Sequence, residues 1–465
     1  SGWRRKRWTT CGLCCTWCRG CEYGAVVTSA ASVFVGCKIS QADGEQALAE
    51  LEAAGLSVAA RHDEADVVVV HTCCVTAEAE RKSRRLVRRF NRLGRRVIVS
   101  GCAARLNPEQ FAAAGVEVAA APNWAALAHG AGGEGKGVPV GGDDREQSGV
   151  ASAADASGRT RFVLKAQDGC AGRCTYCAVR LVRGEPHSVP LADALAAASA
   201  ALGRGCGEVV LSGIDLGAWR DGELRLPDLV TALADLPGLC RLRLSSLEPR
   251  HVDARLLEVL AHERVARHLH LPQQSADDGV LADMNRPYTF VDYMAVAERA
   301  RARLGDGMLS TDVIVGYPSE DEAAFARTLR VLESGLFGRV HVFAFSARPG
   351  TAAAELPPLP AAVVDERRRR ALAAAQTAAE AARRSALGRP AEVLVEQYDG
   401  GLWKGYSSEY IPYYVEGDAR RGELVRVGGR GEHNDGVLAA AKGEADERLY
   451  FLQDRRRRDP GGVCG

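Results

Sequence analysis

The chain has 465 residues, a formal charge of +1, 46% hydrophobic residues and fifteen cysteines. That length calls for two to four domains. The balanced charge excludes a globally basic nucleic-acid binder while leaving local basic patches open, and no apolar run is long enough to span a membrane. So many cysteines in a long chain point to metal chemistry in a reducing, cytoplasmic compartment rather than to disulfides.

In chain order, Trp3 to Trp8 is basic, but no apolar h-region or cleavage site follows, so no signal peptide is expected. Cys11, Cys14, Cys15, Cys18 and Cys21 crowd together without a strand or helix pattern around them. Residues 1–30 therefore read as an atypical Cys-rich extension, expected to be disordered, rather than as a further metal site. A domain over 31–140 follows. Ser32–Cys37, Asp66–Cys73 and Arg96–Cys102 read as buried strands, with helices over Gln41–Ala54 and Glu78–Arg92 between them. Strands separated by helices imply a parallel sheet, which binds ligands at the carboxyl ends of its strands. One cysteine at a strand end is ordinarily a small buried side chain. Three at equivalent positions, Cys37, Cys73 and Cys102, point to a cluster site. The second helix carries Lys82, Arg84, Arg85, Arg88, Arg89 and Arg92. It is either a solvated face or a surface for RNA phosphates. Asn123 to Ser157, rich in Gly, Ala and Ser, reads as a short helix followed by a linker over 141–158.

The centre of the chain is Asp168 to Cys177, where Cys170, Cys174 and Cys177 stand in a CxxxCxxC spacing. Three thiolates so spaced hold three corners of a 4Fe–4S cube and leave the fourth iron open. A cluster that only carries electrons normally has four cysteines. Zinc would want a fourth ligand, and His187 is the near candidate. Phe162–Gln167 precedes this motif as a buried strand. Strands at Glu208–Gly213, Arg241–Ser246, His268–Pro272, Leu309–Gly316 and Val340–Phe345 follow it. About six βα units over 159–388 suggest a partial barrel with active residues at strand carboxyl ends, closed off by a long helix over Asp365–Ala386. From Pro390 short strands alternate with Gly turns, at Ala391–Gln397, Leu402–Tyr406, Ile411–Val415 and Glu423–Val427. They predict a small β-barrel within 389–453. A basic tail, 454–465, ends the chain, with solvation as its default reading.

The central motif and its strand resemble the radical S-adenosylmethionine (SAM) enzymes, in which SAM chelates the open iron. With both cysteine sets in view, the chain resembles the methylthiotransferases over about Ser32 to Leu452. The motifs are Gly36-Cys37-Lys38-Ile39-Ser40-Gln41, His71-Thr72-Cys73-Cys74-Val75-Thr76, Ser100-Gly101-Cys102-Ala103 and the central triad. The resemblance implies an N-terminal cluster domain, a central radical SAM barrel of about six βα units and a C-terminal TRAM-like RNA-binding domain. It implies two 4Fe–4S clusters on Cys37, Cys73, Cys102 and on Cys170, Cys174, Cys177, with Cys74 an ordinary neighbour pointing away from Cys73. One cluster would cleave SAM and the other would hold the sulfur to be inserted. Gly36-Cys37-Lys38, Gly213 to Gly217 and Arg243 to Pro249 are similar to the branch acting on threonylcarbamoyladenosine in tRNA. Ser40, His187, Val189 and Pro272 to Ala276 depart from that branch. Tyr176, Ser212, Gln274 and Asp312 are candidate SAM contacts. A tRNA anticodon stem-loop, an electron donor such as a flavodoxin or ferredoxin, and a sulfur source are the implied partners of a monomeric enzyme. The alternatives are the same chemistry on isopentenyladenosine or on an aspartate of a ribosomal protein, a non-catalytic iron–sulfur RNA-binding module, and a zinc scaffold.

Overall fold

The computed structural model describes residues 28–112, 116–119, 123–124 and 160–441. The extension up to residue 27, the linker, nearly all of Asn123–Ser157 and the basic tail lie outside the described residues.

The N-terminal domain runs β1 (Ser29–Phe34), α1 (Lys38–Ala53), β2 (Ser57–Val58), β3 (Val67–Thr72), α2 (Ala77–Arg92), β4 (Arg96–Gly101), α3 (Cys102–Leu106) and β5 (Val116–Val118). Its sheet is parallel with order β2-β1-β3-β4-β5. Central β3 is buried along its whole length, as its run of valines requires of a strand covered on both faces. The strands stop short of the expected cysteines. The chain leaves the sheet after Phe34, turns at Gly36 with φ 116°, and makes Cys37 the N-cap of α1. That helix accordingly begins before the expected Gln41.

The central domain comprises β6 (Arg161–Asp168), α4 (Val179–Arg183), β7 (His187–Ser188), α5 (Leu191–Gly203), β8 (Glu208–Gly213), a short hairpin β9–β10 (Arg220–Asp221 and Leu224–Arg225), α6 (Leu226–Ala234), β11 (Arg241–Leu244), α7 (Ala254–Val259), β12 (His268–His270), α8 (Asp278–Asp283), α9 (Phe290–Leu304), β13 (Met308–Val315), α10 (Glu322–Glu333) and β14 (Arg339–Ala344). Six parallel strands form two curved sheets, β11-β8-β6 and β12-β13-β14, linked by a bridge from Leu242 to Val265. Alternation divides each strand between two faces. Leu164, Leu211, Leu242, Leu269 and Leu309 pack outward with the helices in one core. Arg243 and Glu208, His268 and Ser310, and Asp312 and His341 meet on the other face. The lumen is therefore polar. At one side of it Ala42 of α1 packs on Val163 and Val210, so the N-terminal domain sits against the lumen.

α11 (Ala361–Ser385) then leads to β15 (Pro390–Asp399), β16 (Leu402–Ser407), β17 (Pro412–Glu416), β18 (Leu424–His433) and β19 (Gly436–Ala441), a closed barrel of order β15-β16-β17-β19-β18. The sequence missed β19, whose alanines carry little strand preference and whose pairing with β17 and β18 fixes it.

Two buried arginines fasten this barrel to the central domain. Arg241 donates to the carbonyls of Tyr406 at 3.0 Å and Glu392 at 2.8 Å, and Arg243 to those of Ser408 at 3.1 Å and Ser407 at 3.0 Å. Glu208, almost wholly buried, accepts from Arg243 Nε at 3.0 Å and lies 3.4 Å from Arg241. Burial alone would raise its carboxyl, but Arg243, then Arg241 and Arg161, hold it below the usual range. Removing one partner of a buried pair leaves a stranded charge, worth about 3 kcal/mol or more. Glu208→Gln is expected to destabilise the junction by about that amount, read as a lower urea midpoint and faster proteolytic release of the C-terminal barrel. An unchanged midpoint would show that the arginines need only the backbone carbonyls.

Candidate cluster and cofactor site

The loop after β6 builds the central triad. Gly169, at φ 72°, turns the chain so tightly that a Cβ there would strike the Glu185 carbonyl. Gly172 then enters the triad. Its N–H donates to Cys170 Sγ at 3.2 Å, and a Cβ would lie 3.0 Å from Cys170 Sγ and 4.0 Å from Cys174 Sγ. Arg286 donates to Cys174 Sγ at 3.3 Å and is itself fixed by Glu248 and by Tyr288 Oη at 2.8 Å. Burial pushes the Cys177 thiol up to about 12 and raises Cys170 as well. Thiols held this way shed their protons to a metal rather than to water.

The second triad lies in the N-terminal domain. Cys37 caps α1, Cys73 follows β3, and Cys102 opens α3. A Cβ on Gly36 would fall 2.7 Å from Cys73 Sγ. The Val75 N–H donates to Cys73 at 3.5 Å, and Arg183 Nε donates to Cys102 at 3.2 Å. Burial pushes Cys73 up to about 12. Cys102 comes down to about 6, first through a hydrogen bond from the Cys74 thiol and then through the Arg183 charge. Cys74 thus departs from expectation. It is buried among Cys102, Ala178 and Val182 at the domain junction, because the chain has already left β3 and strand alternation no longer orients it.

Among the described residues no three cysteine Sγ atoms lie within 4.8 Å of one another. A tetrahedral zinc, with bonds of about 2.3 Å, needs thiolates about 3.8 Å apart. The spread, the open glycine backbone and the three-thiol sets fit cubane corners better. His187 is exposed and paired with Asp168 along the backbone, so it completes no zinc site.

One ionic knot joins the triads. Arg183 on α4 donates to Asp43 of α1 at 2.7 Å, to Asp168 at 3.0 Å and, as above, to Cys102. Lys165 meets the same Asp43 at 2.6 Å. Burial opposes the charge on Asp43, but Lys165 and Arg183 outweigh it and hold the carboxyl well below the carboxylate range.

The four expected SAM contacts are distributed along this lumen. Tyr176 Oη accepts from Arg286 at 3.3 Å, beside the triad. Ser212 is fully buried and donates to the Val210 carbonyl at 3.3 Å, so its hydroxyl is already engaged. Gln274 has φ 66° and pairs by its backbone with β13, which leaves its side chain without a hydrogen bond among the described residues. Asp312 is gripped by His270 Nε2 at 3.1 Å and His341 Nδ1 at 3.0 Å. Sequence reasoning missed Asp43, Lys165, Arg286, His270 and His341, whose partners are far off in the chain. On α2, Lys82, Arg84 and Arg89 pair with Glu78, Glu80 and Asp63, and Arg92 donates to the Arg88 carbonyl. Arg85 and Arg88 are exposed, with no side-chain partner among the described residues.

The glycine cradle around Cys73 is open to test. Gly36→Ala adds a methyl inside contact distance of Cys73 Sγ, whereas at Gly55, also at positive φ, nothing lies within 4 Å. Gly36→Ala is expected to lower iron uptake by reconstituted protein and Gly55→Ala to leave it intact. Equal losses would assign the effect to backbone strain alone.

Comparison with known proteins agrees with this geometry. Residues 30–121 match a family described as uncharacterized protein family UPF0004, and residues 164–332 match the radical SAM superfamily. A threonylcarbamoyladenosine tRNA methylthiotransferase of Thermotoga maritima is 32% identical over 415 residues, covering 87% of this chain and 95% of its own. A tRNA-2-methylthio-N(6)-dimethylallyladenosine synthase of Novosphingobium aromaticivorans is 34% identical over 413 residues, covering 84% and 92%. A radical S-adenosylmethionine methyltransferase of Kitasatospora setae, TsrM, shares the fold alone, with a TM-score of 0.50 and 14% identity over 70% of this chain and 75% of its own. The radical SAM family brings a 4Fe–4S cluster and SAM. With two cysteine triads in place and relatives matched nearly end to end, the chain belongs to the radical SAM methylthiotransferases.

Proposed function

We propose that this enzyme puts a methylthio group on carbon 2 of N6-threonylcarbamoyladenosine beside the tRNA anticodon, and that it holds two 4Fe–4S clusters. One sits on Cys170, Cys174 and Cys177, the other on Cys37, Cys73 and Cys102. The observation that carries this reading is the pair of three-thiol sets. Among the described residues neither set is joined by a fourth ligand, each receives an arginine at sulfur, and Arg183 links Cys102 of one to Asp168 beside the other.

When bound, the clusters and SAM supply a carbon radical able to take hydrogen from an unactivated ring carbon, together with the sulfur and the methyl group. The chain's own residues bind and orient. Arg286 and Arg183 place positive charge beside thiolates and favour the deprotonated, ligating form. Tyr176, held by Arg286, offers a flat face beside the cluster, and Gln274 and Asp312 offer polar atoms toward SAM. Ser212, already bonded to its own strand, serves as a small lumen residue. Arg85 and Arg88 of α2, with the closed C-terminal barrel as a TRAM-like domain, contact RNA phosphates. Reaction on tRNA puts the enzyme in the cytoplasm, as a monomer served by a flavodoxin- or ferredoxin-like electron donor and a sulfur source.

A second reading has support in the 34% identity to the dimethylallyladenosine synthase. Gly36-Cys37-Lys38 and Arg243 to Pro249 favour the threonylcarbamoyl branch.

Anaerobically reconstituted protein should carry about eight iron atoms, and about half after Cys170, Cys174 and Cys177 are changed to Ala. Zinc in place of iron would end the cluster reading. Cys174→Ala should form no 5′-deoxyadenosine from SAM. Cys73→Ala should still cleave SAM but yield no methylthio nucleoside in digested tRNA. Cys74→Ala keeps all six ligands but removes the donor to Cys102, so a several-fold slower sulfur insertion is expected. Loss of SAM cleavage in Cys73→Ala would show that the triads do not divide the work this way.

A further inference from the structure

One patch of the lumen holds a carboxylate with no permanent cation. Asp312 lies on β13, the middle strand of its sheet, and its Oδ1 faces His270 Nε2 at 3.1 Å and His341 Nδ1 at 3.0 Å. His270 comes from β12 on one side, and His341, opposite Asp312 in register, from β14 on the other. Four other carboxylates in and around the lumen are matched by a guanidinium or ammonium. Glu208 meets Arg243, Asp43 meets Lys165, Glu248 meets Arg286 and Asp215 meets Arg250. Asp312 has imidazoles in that place, and an imidazole carries no fixed charge. A largely buried carboxylate so placed is favourable to a cation.

The geometry is that of a coordination site. Asp312 Oδ1, His270 Nε2 and His341 Nδ1 all lie within 4.8 Å of one another. Around a metal ion with bonds of about 2.1 Å, neighbouring ligand atoms stand about 3.0 Å apart in an octahedron and about 3.4 Å apart in a tetrahedron. Both nitrogen–oxygen spacings already have that size. Behind the site, His270 Nδ1 meets Ser310 Oγ at 2.8 Å, and the same hydroxyl meets His268 Nε2 at 2.8 Å. A hydroxyl has one proton, so it accepts from one ring and donates to the other. With Nδ1–H donating to Ser310, His270 aims the Nε2 lone pair at the site, the tautomer that ligates a metal. In the opposite direction Nε2–H donates to Asp312, which suits the trio without an ion. His268 Nδ1 has no partner among the described residues, so changing direction loses no hydrogen bond behind the site.

We infer that His270, Asp312 and His341 bind a divalent first-row transition-metal ion, separate from both cysteine triads, with its remaining positions open to the lumen. Two imidazoles and one carboxylate suit zinc, manganese(II) or iron(II), whereas magnesium and calcium prefer oxygen alone. Three protein ligands make a site of the open kind, which keeps water or another oxygen donor on the ion. The His341 side chain is 43% exposed and gives the ion its way in. Ile314, two residues along the same face of β13, belongs to an apolar cluster against which Tyr176 of the central cysteine loop packs. The ion therefore lies about 7 Å down the strand from that layer. Only Oδ1 of Asp312 faces the histidines, so Oδ2 stays available to SAM.

The probe is manganese(II), which thiolates take up poorly. It is added to the full chain with its iron–sulfur clusters loaded, in the absence of SAM and tRNA, so that binding is independent of the substrate reading. Free manganese(II) has an EPR signal that fades on binding, and the iron count reports the clusters separately. The unaltered protein should bind one ion per chain saturably. Asp312→Asn and His341→Gln should each weaken binding by at least about tenfold. Ser310→Ala, which releases His270 from behind, should weaken it by about tenfold, the lower end of what such supporting hydrogen bonds are worth. Should Asp312→Asn fail to load its clusters, His341→Gln, the most exposed of the three, carries the test. Absence of a saturable site in the unaltered protein would overturn the inference. So would equal binding by His341→Gln, which would put the manganese on carboxylates elsewhere.

Discussion

Arg183 and Asp43 hold this enzyme in its working arrangement. On the reading proposed above, a radical made at one triad is used beside the other, and such chemistry depends on a fixed separation, since positioning supplies much of the rate. Arg183 reaches furthest across that separation, with one guanidinium on Asp168 below the first triad, on Asp43 of the other domain, and on Cys102 of the second triad, and the buried Arg348–Glu80 pair fastens the same two domains at 3.0 Å. Lys165 closes the knot on Asp43. Buried ionic networks are weak sources of stability but specify one arrangement. Here that arrangement presses α1 against the lumen, where Ala42 meets Val163 and Val210.

The cysteine sets and most strands were legible because both are local signals. Valine runs mark buried strands, and CxxxCxxC is a spacing on one loop. The ends of the strands were not legible. Each of the first three was expected to reach its cysteine, and each stops earlier: a glycine at positive φ follows β1, α3 opens directly after β4, and β3 ends at Thr72 in a loop that leads to α2. Strand alternation was carried one step too far at Cys74, which lies past the end of β3 and turns into the junction. β19 was invisible because only its neighbours make Ala439–Ala441 a strand.

The charged groups that run the site were the least legible. Arg286 lies 112 residues from Cys174, and Arg183 lies 140 from Asp43. In the sequence Arg183 is one arginine near others, and nothing in its spacing separates it from the half-buried Arg180. Burial decides the matter. A fully charged side chain enters a core only when paired, so each buried arginine marks a place where two distant segments were brought together.

Seen from the lumen, the C-terminal barrel is part of the central cavity. Its β16–β17 turn delivers Ser407, Ser408 and Tyr410 to Arg243, and Tyr410 to the ring of His268. Tyr410 has φ 70°, and a left-handed tyrosine costs on the order of 1 kcal/mol, which the cation and ring contacts on both sides offset. The barrel therefore closes the floor of the cavity whose roof carries the two triads. A barrel that also forms part of the lumen ties its own position to the shape of the cavity, so anything that moves the barrel moves the floor under the site.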